Sequence, residues 1–324
     1  MTWRIYRGTG EPGSRIAELP PPPPWRSFNG RVVPDVDPPL SEASPAQERL
    51  AVTYRPTSES IDMVNAALVL RRPLLVTGPP GTGKSSLAYS VAHELRLGRV
   101  LRWPITSRST LADGLYRFDA VGHWQSTTAR AYDSDPHIGS YFQLGPLGSA
   151  LAPSSRPRVL LIDDLDQGDL DLPYDLAEVF EQGEFSIPEL SRRAEIRGYV
   201  VDADGREVVV ERGRVQCGQF PLVVLTSNGE REFAPGFLRR CLRLHLAPPD
   251  QDRLLTMVEA NIGETDDPQV RHLVAEFLAR SQHGILSPSQ LLNAIYLTKI
   301  VGDVDEGVIS SILSRTDEGS VDGW

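Results

Sequence analysis

The run Gly78-Pro79-Pro80-Gly81-Thr82-Gly83-Lys84-Ser85 constrains this chain more than any other stretch, because it follows the pattern GxxxxGK[ST]. At average residue frequencies that pattern arises by chance in roughly one chain in a hundred of this length. An apolar run, Leu74-Leu75-Val76, precedes it as a short buried strand, and Ser85 to Leu95 follows as a helix. Glycines let backbone N–H groups turn inward around an anion, and the start of a helix adds the positive end of its dipole. Lys84 is therefore expected to reach the β- and γ-phosphates of a nucleotide, and the Ser85 hydroxyl to ligate Mg2+. Gly78, Pro80, Gly81, Thr82, Gly83, Lys84, Ser85 and Ser86 form the expected nucleotide-binding set.

Such a loop needs a carboxylate at the end of a neighbouring strand to hold the metal, directly or through water. Asp163 closes the apolar run Val159 to Ile162 and is the expected second metal ligand, while Asp164 stands where a water-activating carboxylate is needed. Asp166, Asp169 and Asp171 read as a solvated acidic turn before a helix at Pro173 to Glu181. Asn228 ends a third apolar run, Leu222 to Leu225, within Thr226-Ser227-Asn228, either to orient the attacking water or as part of a turn. Arg239 and Arg240 follow, as a solvated pair or as a cation presented to a γ-phosphate.

Short apolar runs alternating with helical patterns, from Ser60 to Leu225, imply an α/β fold with a parallel sheet covered on both faces. Val100 to Trp103 is a further strand. After His245 the pattern turns helical, with Gln251 to Asn261, Pro268 to Arg280 and Pro288 to Ile300 as helices. We therefore divide the chain into a proline-rich extension (1–44), an α/β nucleotide-binding domain (45–248) and a helical domain (249–324). The extension holds Pro20 to Pro24 and then Pro34, Pro38 and Pro39, which favours a polyproline II tether over a docking strip for a partner. Tyr199 to Val210 reads as a β-hairpin turning at Asp204-Gly205, inserted between two strands of the sheet.

Composition narrows the function classes. A net charge of −10 disfavours non-specific binding to nucleic acid, which relies on many Lys and Arg side chains. Cys217 and Cys241 make no CxxC site, the six histidines never pair at metal-ligand spacing, and a metal hydrolase is disfavoured. No signal-peptide pattern opens the chain and no apolar run spans a membrane, so the expected location is cytoplasmic.

The segments GPPGTGKS, LLIDDLD, DLAEVFEQGEFSIPE and VVLTSNGEREFAPGFLRRCLRLHL together resemble the AAA+ ATPases of the MoxR group, as does WPITSRSTLADGLYRFDAVG. The resemblance runs from about Tyr54 to Pro249 and leaves residues 1–44 uncovered. It implies a three-layer P-loop sandwich with strand order 5-1-4-3-2, a C-terminal helical lid, and a homo-oligomeric ring, usually of six subunits, that hydrolyses ATP with Mg2+. It makes Asn228 the sensor of the γ-phosphate and Arg240, then Arg239, the finger that reaches the neighbouring subunit. The hairpin falls where such proteins carry an insert that often faces the central pore or a partner. Protein clients or partners are implied, proteins with von Willebrand A domains among them.

Two positions depart from the group's pattern. Asp-Glu usually ends the metal-binding strand, whereas this chain has Asp163-Asp164. One methylene fewer withdraws the carboxylate by about 1.5 Å, and about 1 Å of misplacement costs about 100-fold in rate. The lid helix usually starts Ser-Pro-Arg, whereas here it is Ser287-Pro288-Ser289, so that arginine contact is missing or comes from elsewhere, with Arg280 as one source. An ATP-driven remodeller of protein partners is the leading expectation. Against it stand a nucleotide-gated scaffold with slow or no hydrolysis, within a bacterial multi-gene conflict system, an ATPase acting on DNA or RNA, and a small-molecule kinase.

Overall fold

The computed structural model describes residues 3–30, 42–129, 138–192, 197–263, 267–281, 286–302 and 304–314. Pro34, Pro38, Pro39, His137 and His283 lie outside the described residues. Along the chain the strands are β1 (Leu74–Thr77), β2 (Leu101–Pro104), β3 (Tyr116–Phe118), β4 (Phe142–Leu144) and β5 (Val159–Asp163). They continue with β6 (Glu184–Ser186), β7 (Arg197–Val201), β8 (Glu207–Glu211), β9 (Arg214–Gln216), β10 (Leu222–Ser227) and β11 (Leu242–His245).

A parallel sheet in the order β11-β1-β10-β5-β2 forms the centre. Its inner strands β1, β10 and β5 read as unbroken apolar runs because alternate side chains enter two different cores, whereas the edge strands β2 and β11 alternate with exposed residues. Leu75, Leu160, Ile162, Val223 and Leu225 face one core, joined by Leu172, Leu176 and Phe180 of the helix Leu172–Gln182. Leu74, Val76, Leu161, Leu222 and Val224 face the other, with Leu87, Ala88 and Val91 of the helix Lys84–Glu94. The parallel register sets Thr77 beside Ser227, and Pro104 beside Asp163, so the polar strand ends collect at one edge of the sheet. The helices Gln251–Ile262, Pro268–Ser281 and Pro288–Val301 build a third core around Leu254, Val274, Phe277 and Ile295.

A second sheet runs β3-β4-β7-β8-β9-β6, and its β7–β8 pair is the expected antiparallel hairpin. Gly205 at its turn is exposed, while the carboxylates beside it are held inward. Asp202 and Asp204 are buried against Arg158, which is itself only 1 % exposed. Arg158 Nη2 donates to Asp204 Oδ2 at 2.6 Å, Arg206 pairs with Asp202 at 2.6 Å, and Arg99 pairs with Asp204. These carboxylates are therefore anchored beside Arg158, immediately before β5, because burying a carboxylate is costly unless cations or hydrogen bonds meet its oxygens.

The extension is also not a free tether over residues 3–30. Ile5 and Tyr6 are buried, and their N–H groups donate to Asn65 Oδ1 at 2.6 and 3.0 Å. Buried Glu94 accepts from Arg7 N and Thr9 N at 2.7 Å each and from Arg15 Nη2 at 2.8 Å. Further on, Arg26 lies over the rings of Phe28 and Phe220 and donates to the carbonyls of Arg71 and Phe180 at 2.7 and 3.0 Å. Proline supplies no N–H, so the strip between Pro20 and Pro24 bonds through its carbonyls: Pro20 O accepts from Arg71 Nη2 at 2.8 Å and Pro23 O from Arg26 N at 2.8 Å.

Candidate functional site

The glycine-rich loop joins β1 to the helix Lys84–Glu94, whose N-cap is Gly83. Gly81 (φ +78) and Gly83 (φ +89) hold left-handed backbone, and neither has room for a side chain. A Cβ on Gly83 would lie 2.7 Å from Tyr54, and one on Gly81 2.6 Å from Ser287 Oγ and 2.4 Å from Pro288. The start of the helix Pro288–Val301 therefore abuts the loop. Pro80 and Gly81 are exposed, Ser86 is half-buried on the first helical turn, and buried Thr82 donates to Pro79 O at 2.9 Å.

Lys84 Nζ donates to the carbonyls of Gly78 and Pro79 at 2.7 and 2.9 Å, and to Asn228 Oδ1 at 2.7 Å. A lysine has only donors, so the amide must turn its oxygen toward Lys84, which leaves Nδ2 directed at Asp164 Oδ1, 3.3 Å away. Burial holds the ammonium below the ordinary lysine range, opposed by Asp164, Asp166 and Asp163.

Asp163 is fully engaged. Its Oδ1 accepts from Ser85 Oγ at 2.6 Å and Thr226 Oγ1 at 2.8 Å, and its Oδ2 from Arg102 Nε and Nη2 at 3.0 and 2.8 Å. Burial pushes this carboxyl up, but those bonds outweigh it and leave it below the usual range. Asp164 sits in the left-handed region (φ +58) with its N–H on Thr226 Oγ1 at 2.9 Å. Its carboxyl is raised by burial and then by Asp163 and Asp166. Thr226 thus ties both carboxylate residues to β10.

Three residues enter the site that sequence reasoning did not place there. Arg102 reaches Asp163 from β2, and Thr226, which local sequence alone leaves open as a turn-former, bonds both Asp163 and Asp164. Asp166 corrects an expectation: it is 6 % exposed, not solvated, and its Oδ2 accepts from the N–H groups of Asn228 and Glu230 at 2.9 and 3.1 Å. Asp169 and Asp171 are exposed as expected.

Other expected residues stand apart. Arg239 and Arg240 are both exposed, in the turn after the short helix Pro235–Leu238, and Arg240 Nη1 donates back to Gly236 O at 2.9 Å. Arg280, offered by sequence as one source of the lid arginine's contact, has its guanidinium paired with Glu276 at 2.5 Å and donating to Ser310 Oγ at 3.2 Å. Cys217 and Cys241 are buried, and burial pushes both thiols up to about 12. Among the described residues no helix is long and apolar enough to cross a membrane.

Residues 74–170 match the family model of the ATPases associated with various cellular activities (AAA). That stretch is similar to the AAA nucleotide-binding domain. The match takes in β1, the phosphate-binding loop and both carboxylates of the β5 end, and stops short of Asn228, Arg239 and Arg240. No curated protein matches the chain. The glycine cradle that a Cβ would fill, and the hydroxyl–carboxylate pair beside it, fit a nucleotide phosphate and a hydrated divalent cation.

Proposed function

We propose that the chain is a MoxR-like AAA+ ATPase that binds Mg-ATP, hydrolyses it and works as a homo-oligomeric ring on protein partners. The observation that carries this reading is the meeting of Lys84, Asn228, Asp164 and the Ser85–Asp163 pair at one edge of the parallel sheet. Lys84 and the loop N–H groups would hold the β- and γ-phosphates, and Ser85 with Asp163 would hold Mg2+, which neutralises charge on the transferring phosphoryl group. Asp164 is the group that would take a proton from water, with Asn228 holding that water in line. The C-terminal helices fit the role of a lid, since Pro288 abuts Gly81. Arg240 and Arg239, both exposed, are available to a neighbouring subunit. Proteins with von Willebrand A domains are the partner class that the resemblance points to.

One specific pair of observations favours a second reading, a nucleotide-gated scaffold with slow hydrolysis. Asp164 is a methylene shorter than the glutamate usual there, and the lid brings Ser289 where an arginine is usual. The test is calorimetry with Mg-ATP alongside steady-state turnover and a sizing column. Lys84→Ala is expected to abolish binding, since it removes the cation on the phosphates; unchanged affinity would sink the assignment of the loop. Arg240→Ala is expected to bind ATP yet lose turnover, and to regain some when mixed with Lys84→Ala. No recovery in mixed rings shown to form would exclude a finger acting in trans.

A further inference from the structure

The loop that carries Asn228 is clamped from a residue outside the familiar nucleotide contacts. We propose that Asp166 is a positioning residue that sets Asn228 against Lys84 and Asp164, and thereby sets how well the site tells ATP from ADP. This rests on the reading of Asn228 as the sensor of the γ-phosphate.

Asp166 lies in the single 3-10 turn Leu165–Gln167 that leaves β5, immediately after the two carboxylates of the site. Burying a carboxylate is costly unless its oxygens are bonded. Asp169 and Asp171 of the same turn region avoid that cost by staying in solvent. Asp166 does not, and its two hydrogen bonds both go to one place, the N–H groups of Asn228 and Glu230. Its other oxygen, Oδ1, is buried without a hydrogen-bond partner. A group that tolerates such burial for the sake of one loop restrains that loop.

The restraint acts on the Asn228 N–H, one bond from the Cα that carries the side chain, and so fixes where that amide starts. From there the amide spans 2.7 Å to Lys84 and 3.3 Å to Asp164. Neighbouring bonds make the two loops one body: Gln167 Nε2 donates to Glu230 Oε2 at 2.6 Å and Arg231 Nη1 to Gly168 O at 2.7 Å. Asp166 alone among these reaches Asn228 itself through its backbone. A displacement of about 1 Å at a reacting group costs about 100-fold, so the position of this clamp matters more than its charge.

The test compares Asp166→Asn, Asp166→Glu and Asp166→Ala with Asn228→Ala in the full chain. It measures the ratio of Mg-ADP to Mg-ATP dissociation constants by calorimetry, with thermal melting as a folding control. Asparagine offers the same carbonyl oxygen to both N–H groups, so Asp166→Asn is expected to keep the ratio within about threefold. Glutamate keeps the charge but carries the acceptor about 1.5 Å further out, so Asp166→Glu is expected to lower the ratio about tenfold, as Asn228→Ala does. Asp166→Ala should match Asn228→Ala, and the double variant should be no worse than either alone. A reversed order, with glutamate tolerated and asparagine not, would mean that charge and not position matters, and would overturn the proposal. So would Asp166 variants that leave the ratio untouched while Asn228→Ala lowers it. Failure of the underlying reading looks different: the natural chain binds neither nucleotide, or Asn228→Ala leaves the ratio unchanged. If Asp166→Ala does not fold, the asparagine and glutamate pair still decides.

Discussion

Arg102 and Asp163 are joined by two bonds to a single oxygen, Nε at 3.0 Å and Nη2 at 2.8 Å, across the β2–β5 pair of the parallel sheet. The guanidinium is half exposed while the carboxylate is buried, so the arginine brings a solvated charge to a desolvated one. Together with Ser85 and Thr226 it keeps Asp163 ionised and turned so that Oδ1 faces the phosphate-binding loop.

Arg102→Met should therefore make the protein more sensitive to acid. The Asp163 carboxyl is depressed in the folded state, so its contribution to stability is present above the unfolded carboxylate range and lost as pH falls through the lower folded value. Without Arg102 the depression is smaller, and the acid midpoint followed by circular dichroism should move to higher pH. At neutral pH the loss should be about 1 kcal/mol, a charged hydrogen bond discounted for solvent screening. An unmoved acid midpoint would mean that Ser85 and Thr226 suffice.

Asp164→Glu should hydrolyse ATP faster than the natural chain. The short side chain is already held by Asn228 at 3.3 Å, and a longer one reaches further toward water in line with the γ-phosphate. A tenfold gain corresponds to about 1.4 kcal/mol. A variant no faster, with the natural chain already turning over near ~1 per second, would leave the scaffold reading without its main support.

Tyr6→Ala should destabilise the whole nucleotide-binding domain, by about 3–5 kcal/mol, the range for losing a large buried aromatic side chain. Tyr6 is fully buried and bonded through its hydroxyl to Ser90 Oγ at 2.8 Å, on the helix that follows the phosphate-binding loop. Chemical denaturation distinguishes this from a free extension, for which the midpoint would not move.

Asp204→Ala should cost about 3–5 kcal/mol, because Arg158 is left buried without its closest partner. The pairing is also pH-dependent. Burial raises the Asp204 carboxyl, but Arg158 and Arg99 outweigh it and hold it below the usual range. The stability it brings is therefore present above the ordinary aspartate pKa and disappears as pH falls through the lower folded value. Urea midpoints of the natural chain and of Asp204→Ala should converge in acid; equal midpoints at neutral pH would mean that the hairpin tip is not held by this cluster.

Sequence alone was enough for the glycine-rich loop, the strands β1, β2, β5 and β10, the β7–β8 hairpin and the three longer C-terminal helices, because each is a local pattern, whereas the short strands β3, β4, β6, β9 and β11 were not legible in it. Glycines at fixed spacing, apolar runs and helical periodicity are written into neighbouring residues and need no partner from elsewhere. Tertiary structure decided the rest. Asp166, Asp169 and Asp171 look alike along the chain, yet only Asp166 is buried, since only it meets the N–H groups of a loop some sixty residues away. Arg102, Glu94, Arg280 and the hairpin tip follow the same rule. Whether a charged side chain is solvated, structural or part of the site depends on which distant groups share its desolvation, and that pairing exists only once the chain has folded.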